Sequence, residues 1–306
     1  MLTKPVLARC IDRSILAKQH PTAGGPDDWL SEKVLARSGL RGLYFDYFVN
    51  WNKNAISREL WIKRILNNEH DPWPDYNKDR IQKLIDDCDG IEFRKSLAKF
   101  ATKYSFKLRF QIFKDTYKWD DKSFIISASI NKIGDIDSIS RVSLDELMGS
   151  IKTLSGGPVS VGSKGLYFGT SYLECYLSHT DAAWPGDIDL IITDTHSKAL
   201  AILEYKKHTQ SGTIQEQKLS NYYPYRDRRK YDRIAILRKY LGESIPTIVL
   251  YYPTNINIKL IKLELIGGQI GSLKSIKSQC LNLPSNKNDL KASENLINAI
   301  MEIVNR

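Results

Sequence analysis

Pro185-Gly186-Asp187-Ile188-Asp189-Leu190-Ile191-Ile192, followed after a short polar link by Ala201-Ile202-Leu203-Glu204-Tyr205-Lys206-Lys207, is the stretch whose reading decides the fold. Along a β-strand successive side chains point to opposite faces. A strand from Asp187 to Thr193 sets Asp187 and Asp189 on one face and Ile188 and Leu190 on the other. A second from Ala199 to Lys206 sets Glu204 and Lys206 together, away from Leu203 and Tyr205. The link Asp194-Thr195-His196-Ser197 is short enough for an antiparallel hairpin, which would bring the aspartate face beside the Glu-Lys face. Two carboxylates and an ammonium then converge on an otherwise apolar sheet.

Phosphodiester hydrolysis needs such a group. Carboxylate oxygens suit magnesium, a hard cation that keeps several waters and bridges to phosphate oxygens. A metal so held lowers the pKa of a bound water and offsets charge developing on phosphate, and a lysine beside it can orient that water or stabilise the transition state. An acid followed at a distance by Glu-x-Lys also occurs on hairpins with a merely solvated face. The apolar flanks, the preceding Pro185-Gly186 and the basic run that follows favour the catalytic reading.

Asp189 with Glu204-x-Lys206 on the next strand resembles the PD-(D/E)xK nuclease superfamily, over roughly residues 165–255. The resemblance implies a restriction-endonuclease-like α/β fold, a mixed sheet flanked by helices. It implies Asp189 and Glu204 as ligands of magnesium (manganese as a substitute), Lys206 as catalytic lysine, and hydrolysis of DNA leaving 5′-phosphates. Members often carry a glutamate on the helix before the aspartate strand, and Glu174 is the candidate third ligand; Ser171-x-x-Glu174 is equally a capping box. Members also often carry a glutamine on the helix after the lysine strand, a place for Gln217 or Gln215. Two departures stand out. His179 to Pro185 leaves room for only a very short strand ahead of the aspartate strand, and the tyrosine after Gln217 follows at five residues rather than four.

Outward from this core, a helix is expected from about Ser171 to Ser178, a helix or helix pair from Ile214 to Tyr240, strands at Thr247–Tyr252 and Asn257–Ile266, and a closing helix from Asp289 to Val304. Arg226, Arg228, Arg229, Lys230 and Arg233, interleaved with tyrosines, suit contacts to phosphates and bases. The glycines from Gly156 to Gly169 mark a seam between an N-terminal region, 1–150, and a nuclease domain, 151–306. Gly157-Pro158-Val159-Ser160-Val161-Gly162-Ser163-Lys164 lacks the Gly-Lys-Ser/Thr order of a phosphate-binding loop. The N-terminal region reads as mainly helical from Asp27 to Ala101, with Ile56–Ile65 on a helix and Asp71-Pro72-Trp73-Pro74 as a breaker; Gly39–Trp51 fits strand or helix. Lys107–Phe113 and Ser123–Ile130 read as a β-hairpin. Trp51, Trp61, Trp73 and Trp119 read as core or interface residues. The chain shows no internal repeat.

A formal net charge of +10 over 306 residues favours a polyanionic partner, and double-stranded DNA is the expected one. Cys10, Cys88, Cys175 and Cys280 are widely separated, which argues against a zinc cage or disulfide framework and for a cytoplasmic protein. No apolar run reaches membrane-span length, and the first residues lack the apolar core of a secretory signal. Cutting both strands of a duplex takes two active sites, which a homodimer would supply. The alternatives are a catalytically idle nucleic-acid-binding module, or a repair or recombination nuclease acting on branched DNA or RNA.

Overall fold

The computed structural model describes residues 1–67, 77–209 and 212–305; the breaker at 71–74, with Trp73, lies outside the described residues. In chain order the helices are α1 (Pro26–Trp29), α2 (Glu32–Arg37), α3 (Lys78–Asp89), α4 (Ile91–Lys103), α5 (Leu144–Ser155), α6 (Tyr172–Leu177), α7 (Arg228–Leu241) and α8 (Leu290–Val304). The longer strands are β1 (Arg41–Asn50), β2 (Ala55–Leu66), β3 (Lys107–Phe113), β4 (Phe124–Ile130), β5 (Ile136–Ser143), β6 (Gly186–Thr193), β7 (Ala199–His208), β8 (Thr247–Pro253), β9 (Leu260–Gln269) and β10 (Ser272–Asn282). The α/β class expected from the sequence holds, with mixed sheet flanked by helices.

The chain forms two compact units. The first comprises Met1–Ala17 and Phe45–Asp187, the second Lys18–Tyr44 and Ile188–Arg306. The division therefore differs from the expected seam at residue 150. It passes through β1 and β6, and Lys18–Tyr44 belongs with the C-terminal part.

In the first unit the strand order is β1-β2-β3-β4-β5, antiparallel except for the parallel β2–β3 pair. One face carries Phe45, Tyr47, Leu60, Ile62 and Phe110 and is covered by α3 and α4, through contacts such as Phe45 with Phe100 at 5.6 Å between ring centroids. The other carries Phe48, Trp61, Phe113 and Ile125, packed against α5 and α6 through Leu144, Leu147, Ile151, Leu173 and Leu177. Because β2 is buried on both faces, its apolar residues lose the alternation of a half-buried strand. For that reason Ile56–Ile65, expected to be helical, is instead strand. The ambiguous Gly39–Trp51 is largely β1, and the β3–β4 hairpin is antiparallel as expected. The helix α5 begins at Ser143, whose Oγ accepts from Glu146 N–H while Glu146 accepts from Ser143 N–H, and ends at Gly156 in the left-handed conformation. Trp61 and Trp119 are buried, while Trp51 is half-buried. Cys10 and Cys175 are joined by a disulfide, against the expectation that the cysteines form no disulfide framework; a separation of 165 residues in sequence says nothing about distance once the chain is folded.

In the second unit the order is β6-β7-β8-β9-β10, again antiparallel except for the parallel β7–β8 pair. Leu190, Ile192, Leu203, Ile248, Leu250 and Leu263 form one face, closed by Trp29, Leu30, Val34 and Leu35 of the α1–α2 segment and by α8. The other face, with Val249 and Tyr251, packs beneath Ile214, Leu219, Tyr223 and Tyr231. Only the last part of the expected helix over 214–240 is α-helical: two short 3-10 turns, Ile214–Glu216 and Leu219–Asn221, precede α7.

Candidate active site

The site is built on the β6–β7 hairpin. Its turn is fixed by Asp194, whose Oδ1 accepts from the N–H groups of His196 (2.9 Å) and Lys198 (2.8 Å). The register runs Thr193 with Ala199, Ile191 with Ile202 and Leu190 with Leu203. One step further sets Asp189 beside Glu204. There the ladder gives way, and the Asp189 carboxylate Oδ2 accepts the Tyr205 N–H at 2.6 Å. Leu190, Ile192, Ala201 and Leu203 point into one core, which holds Asp189 and Glu204 on the opposite face.

Glu204 is fully buried, and neither carboxylate oxygen makes a hydrogen bond of acceptable geometry. Burying a carboxylate costs several kcal/mol without compensating charge, and two ammoniums supply that charge. Lys230 Nζ lies 2.7 Å from Glu204 Oε1, and Lys206 Nζ lies 3.4 Å from the same oxygen. Lys230 Nζ is also 3.9 Å from Asp189 Oδ2. One ammonium thus reaches both acids, so their carboxylates share a side of the sheet.

Lys206 donates to Asp227 Oδ2 at 2.6 Å and lies 5.1 and 5.6 Å from the ring centroids of Tyr222 and Tyr231. The Tyr222 hydroxyl in turn donates to Gln217 Oε1 at 2.7 Å. Gln217 therefore joins the site through the ring that packs against the lysine. Burial, reinforced by the Glu204 charge, pushes the Tyr231 hydroxyl far above its ordinary range, so the ring stays neutral.

Asp189, Glu204, Lys206 and Gln217 are thus brought together, whereas Glu174 is not part of this group. It belongs to the first unit, where Glu174 Oε2 accepts from Thr170 N–H at 2.7 Å and lies 3.5 Å from Lys63 Nζ. The capping reading holds in altered form: Ser171 Oγ accepts from Glu174 N–H, but the glutamate reaches Thr170 rather than the Ser171 amide. Asp187 also falls in the first unit, where its charge acts on Asp46 and Lys63.

The basic run divides. Arg226, Arg228 and Arg229 are exposed, Arg228 lying 3.5 Å from Asp232. Arg233 is half-buried, and Arg238 donates to the Ile266 and Gly268 carbonyls. Lys230, expected among the nucleic-acid contacts, faces inward to the acids because it sits in the first turn of α7 on the side packed against the sheet. Sequence reading missed the roles of Lys230, Asp227 and Tyr231. A single acid inside a dense basic run carries no signal of its own.

Among the described residues, no group of three or more His, Cys, Asp or Glu has the arrangement of a metal cage. Two carboxylates do suit magnesium, which is held by one or two protein carboxylates together with waters and substrate phosphates. The two unbonded oxygens of buried Glu204 are hard donors of the required kind.

No known protein family matches the chain, and no curated protein matches it. Among solved structures, the sex pheromone staph-cAM373 precursor is 12% identical over 82% of this chain and 81% of that one, with a TM-score of 0.21. A carbon-nitrogen hydrolase from Helicobacter pylori G27 is 14% identical over 94% and 93%, with a TM-score of 0.17. Scores that low carry neither fold nor function to this chain. No helix among the described residues is long and apolar enough to cross a membrane.

Proposed function

We propose that the second unit is a magnesium-dependent nuclease that hydrolyses DNA phosphodiester bonds, with double-stranded DNA as substrate and manganese as a competent substitute. The observation that carries this reading is the pair Asp189 and Glu204, on neighbouring strands, sharing one ammonium while Lys206 stands two residues beyond Glu204 on the same face. A cation fits between those acids in the place the Lys230 ammonium takes.

Asp189 and Glu204 would hold the metal, which supplies a water of lowered pKa and a counter-charge for the phosphate oxygens. Lys206 is the positioning and charge-stabilising group. Asp227 and the Tyr222 and Tyr231 rings fix its ammonium, so little reorganisation is needed when negative charge builds on phosphorus oxygens. Gln217 acts through Tyr222 to keep that ring in place. Arg226, Arg228 and Arg229, exposed at the start of α7, would take the DNA backbone and set its register. The likeness to restriction-type nucleases suggests defence against foreign DNA as the setting.

The test is a cleavage panel of plasmid, modified DNA, single strands, branched DNA and RNA, each with magnesium or manganese. Cutting of duplex DNA that is lost in Asp189→Asn and Lys206→Ala, with binding retained, supports the reading. Binding without cutting by native protein and variants alike would make the chain an idle binding module. In that case Lys230 is a permanent counter-ion of the acids.

A further inference from the structure

The two units repeat one chain path, although their sequences show no repeat. In each, an antiparallel hairpin (β1–β2 or β6–β7) leads through a helical crossover (α3 and α4, or the 3-10 turns and α7) to a strand parallel to the second of the hairpin, β3 or β8. Two antiparallel strands and a helix then follow, β4, β5 and α5 or β9, β10 and α8. The layers repeat as well. The crossover covers one face and the closing helix the other.

That second face also receives a helix from the segment preceding the other unit's first strand. The helix α6, just ahead of β6, packs in the first unit, and α1 with α2, just ahead of β1, pack in the second. On that face an acid of the exchanged helix acts on a lysine in each unit, by contact in the first and through its field in the second. Lys63 lies 3.5 Å from Glu174, and Lys207 feels the field of Asp27. Strand order, direction, layering and helix exchange agree throughout.

We infer that the first unit is a second copy of the nuclease fold without a catalytic centre, so that each chain carries one cutting site and breaks one strand of a duplex per encounter. This rests on the reading of Asp189, Glu204 and Lys206 as that centre. On the crossover face of the second unit stand those three polar residues. The same face of the first unit carries Phe45, Tyr47, Leu60 and Ile62, all buried under α3 and α4. Phe45, Leu60 and Ile62 can neither hold a cation nor donate to phosphate, Tyr47 is fully buried, and Arg64 on the same face is already paired with Asp89 of α3 at 2.7 Å. Asp46 and Glu174 of the first unit lie on the opposite face, where Lys63 meets both at 3.6 and 3.5 Å and also takes the charge of Asp187. Trp184 Nε1 donates to Asp46 at 2.9 Å, which leaves that carboxylate partnered.

The experiment counts metal and cuts on the full chain. Manganese titration followed by electron paramagnetic resonance is expected to give one bound ion per chain, lost in Asp189→Asn and in Glu204→Gln; circular dichroism checks that each variant is folded. Supercoiled plasmid is expected to accumulate as open circles at a rate first order in protein, linear DNA arising at second order. Two ions per chain, one surviving both substitutions and lost in Asp46→Asn or Glu174→Gln, would overturn the single-centre inference while leaving the nuclease reading intact. So would linear DNA formed without an open-circle stage by a chain that sediments as a monomer. Absence of both bound ion and cutting would overturn the nuclease reading and, with it, this one.

Discussion

Replacing Lys230 by methionine removes the ammonium that bridges Asp189 and Glu204 and keeps an unbranched side chain at that place in α7. A cation entering the site must displace that ammonium, which stands 2.7 Å from Glu204 Oε1 and 3.9 Å from Asp189 Oδ2. At an effective permittivity of about 20, two unit charges 4 Å apart attract by about 4 kcal/mol. Lys230 is 26% exposed, so solvent screening and the entropy of holding the chain reduce the net attraction to about 1–3 kcal/mol. Since 1.4 kcal/mol is about tenfold in affinity, Lys230→Met is expected to bind manganese about 10- to 100-fold more tightly. Isothermal calorimetry without DNA measures this directly. Arg228→Met removes the same formal charge from an exposed position at the start of the same helix and is the control, with an expected change of about twofold or less. Unchanged or weaker manganese binding by Lys230→Met would refute the claim that the ammonium stands in the cation's place.

Burial raises the carboxyls of Asp46 and Asp115 to about 6. Between about pH 4 and 6 the folded chain therefore holds protons that the unfolded chain has released, and their contribution to stability falls as pH rises through that window. The stability difference between native protein and Asp46→Asn should shift against the native protein over the same interval in denaturant titrations; parallel profiles would contradict this. Thiol titration of unreduced, denatured protein should find two free thiols, Cys88 and Cys280, and four after reduction. Reduction should cost about 2–4 kcal/mol of stability, and four thiols at the outset would exclude the Cys10–Cys175 link. A triple Arg226, Arg228 and Arg229 to glutamine variant should bind DNA more weakly with a shallower salt dependence, by about 0.9 in logarithmic slope for each phosphate no longer neutralised; an unchanged slope would remove these residues from the interface. A fragment spanning 151–306 should fail to fold, because it lacks Trp29, Leu30, Val34 and Leu35 from the core beneath the hairpin. At about 1.5–3 kcal/mol for each buried large side chain, that loss rivals a typical domain's whole stability. A cooperative melt from the fragment would sink this expectation.

The β6–β7 hairpin was legible because it obeys a local rule. Its two faces differ in polarity, so period-two alternation shows through, and a short polar turn separates the strands. Lys107–Phe113 and Phe124–Ile130 were readable on the same terms. The rule fails where a strand is buried on both sides, as at β2, and where an edge strand carries serine and lysine outward, as at β10, which was not expected at all. Partnerships between distant segments left no trace. Nothing local to Lys18–Tyr44 says that it completes a core whose strands begin after residue 187, and nothing in Cys10 points to Cys175. Lys230 lay in a stretch that read as an outward basic face. Its inward turn depends on where α7 meets the sheet, which only the fold decides.

The two units together account for how a glutamate without hydrogen bonds persists in a core. In the first unit the crossover face is filled by Phe45, Tyr47, Leu60 and Ile62, with Arg64 beside them donating to Asp89 of α3 at 2.7 Å. In the second unit the equivalent layer accepts Glu204 at a desolvation cost, as the first unit's accepts the buried Arg64–Asp89 pair. Lys206 and Lys230 offset that cost, Asp227 in turn balances Lys206, and the Asp189 charge also acts on Lys207. Carboxylates gathered at the buried edge of a sheet, next to exposed arginines, are the condition under which a divalent cation and a phosphate would be drawn to the same place.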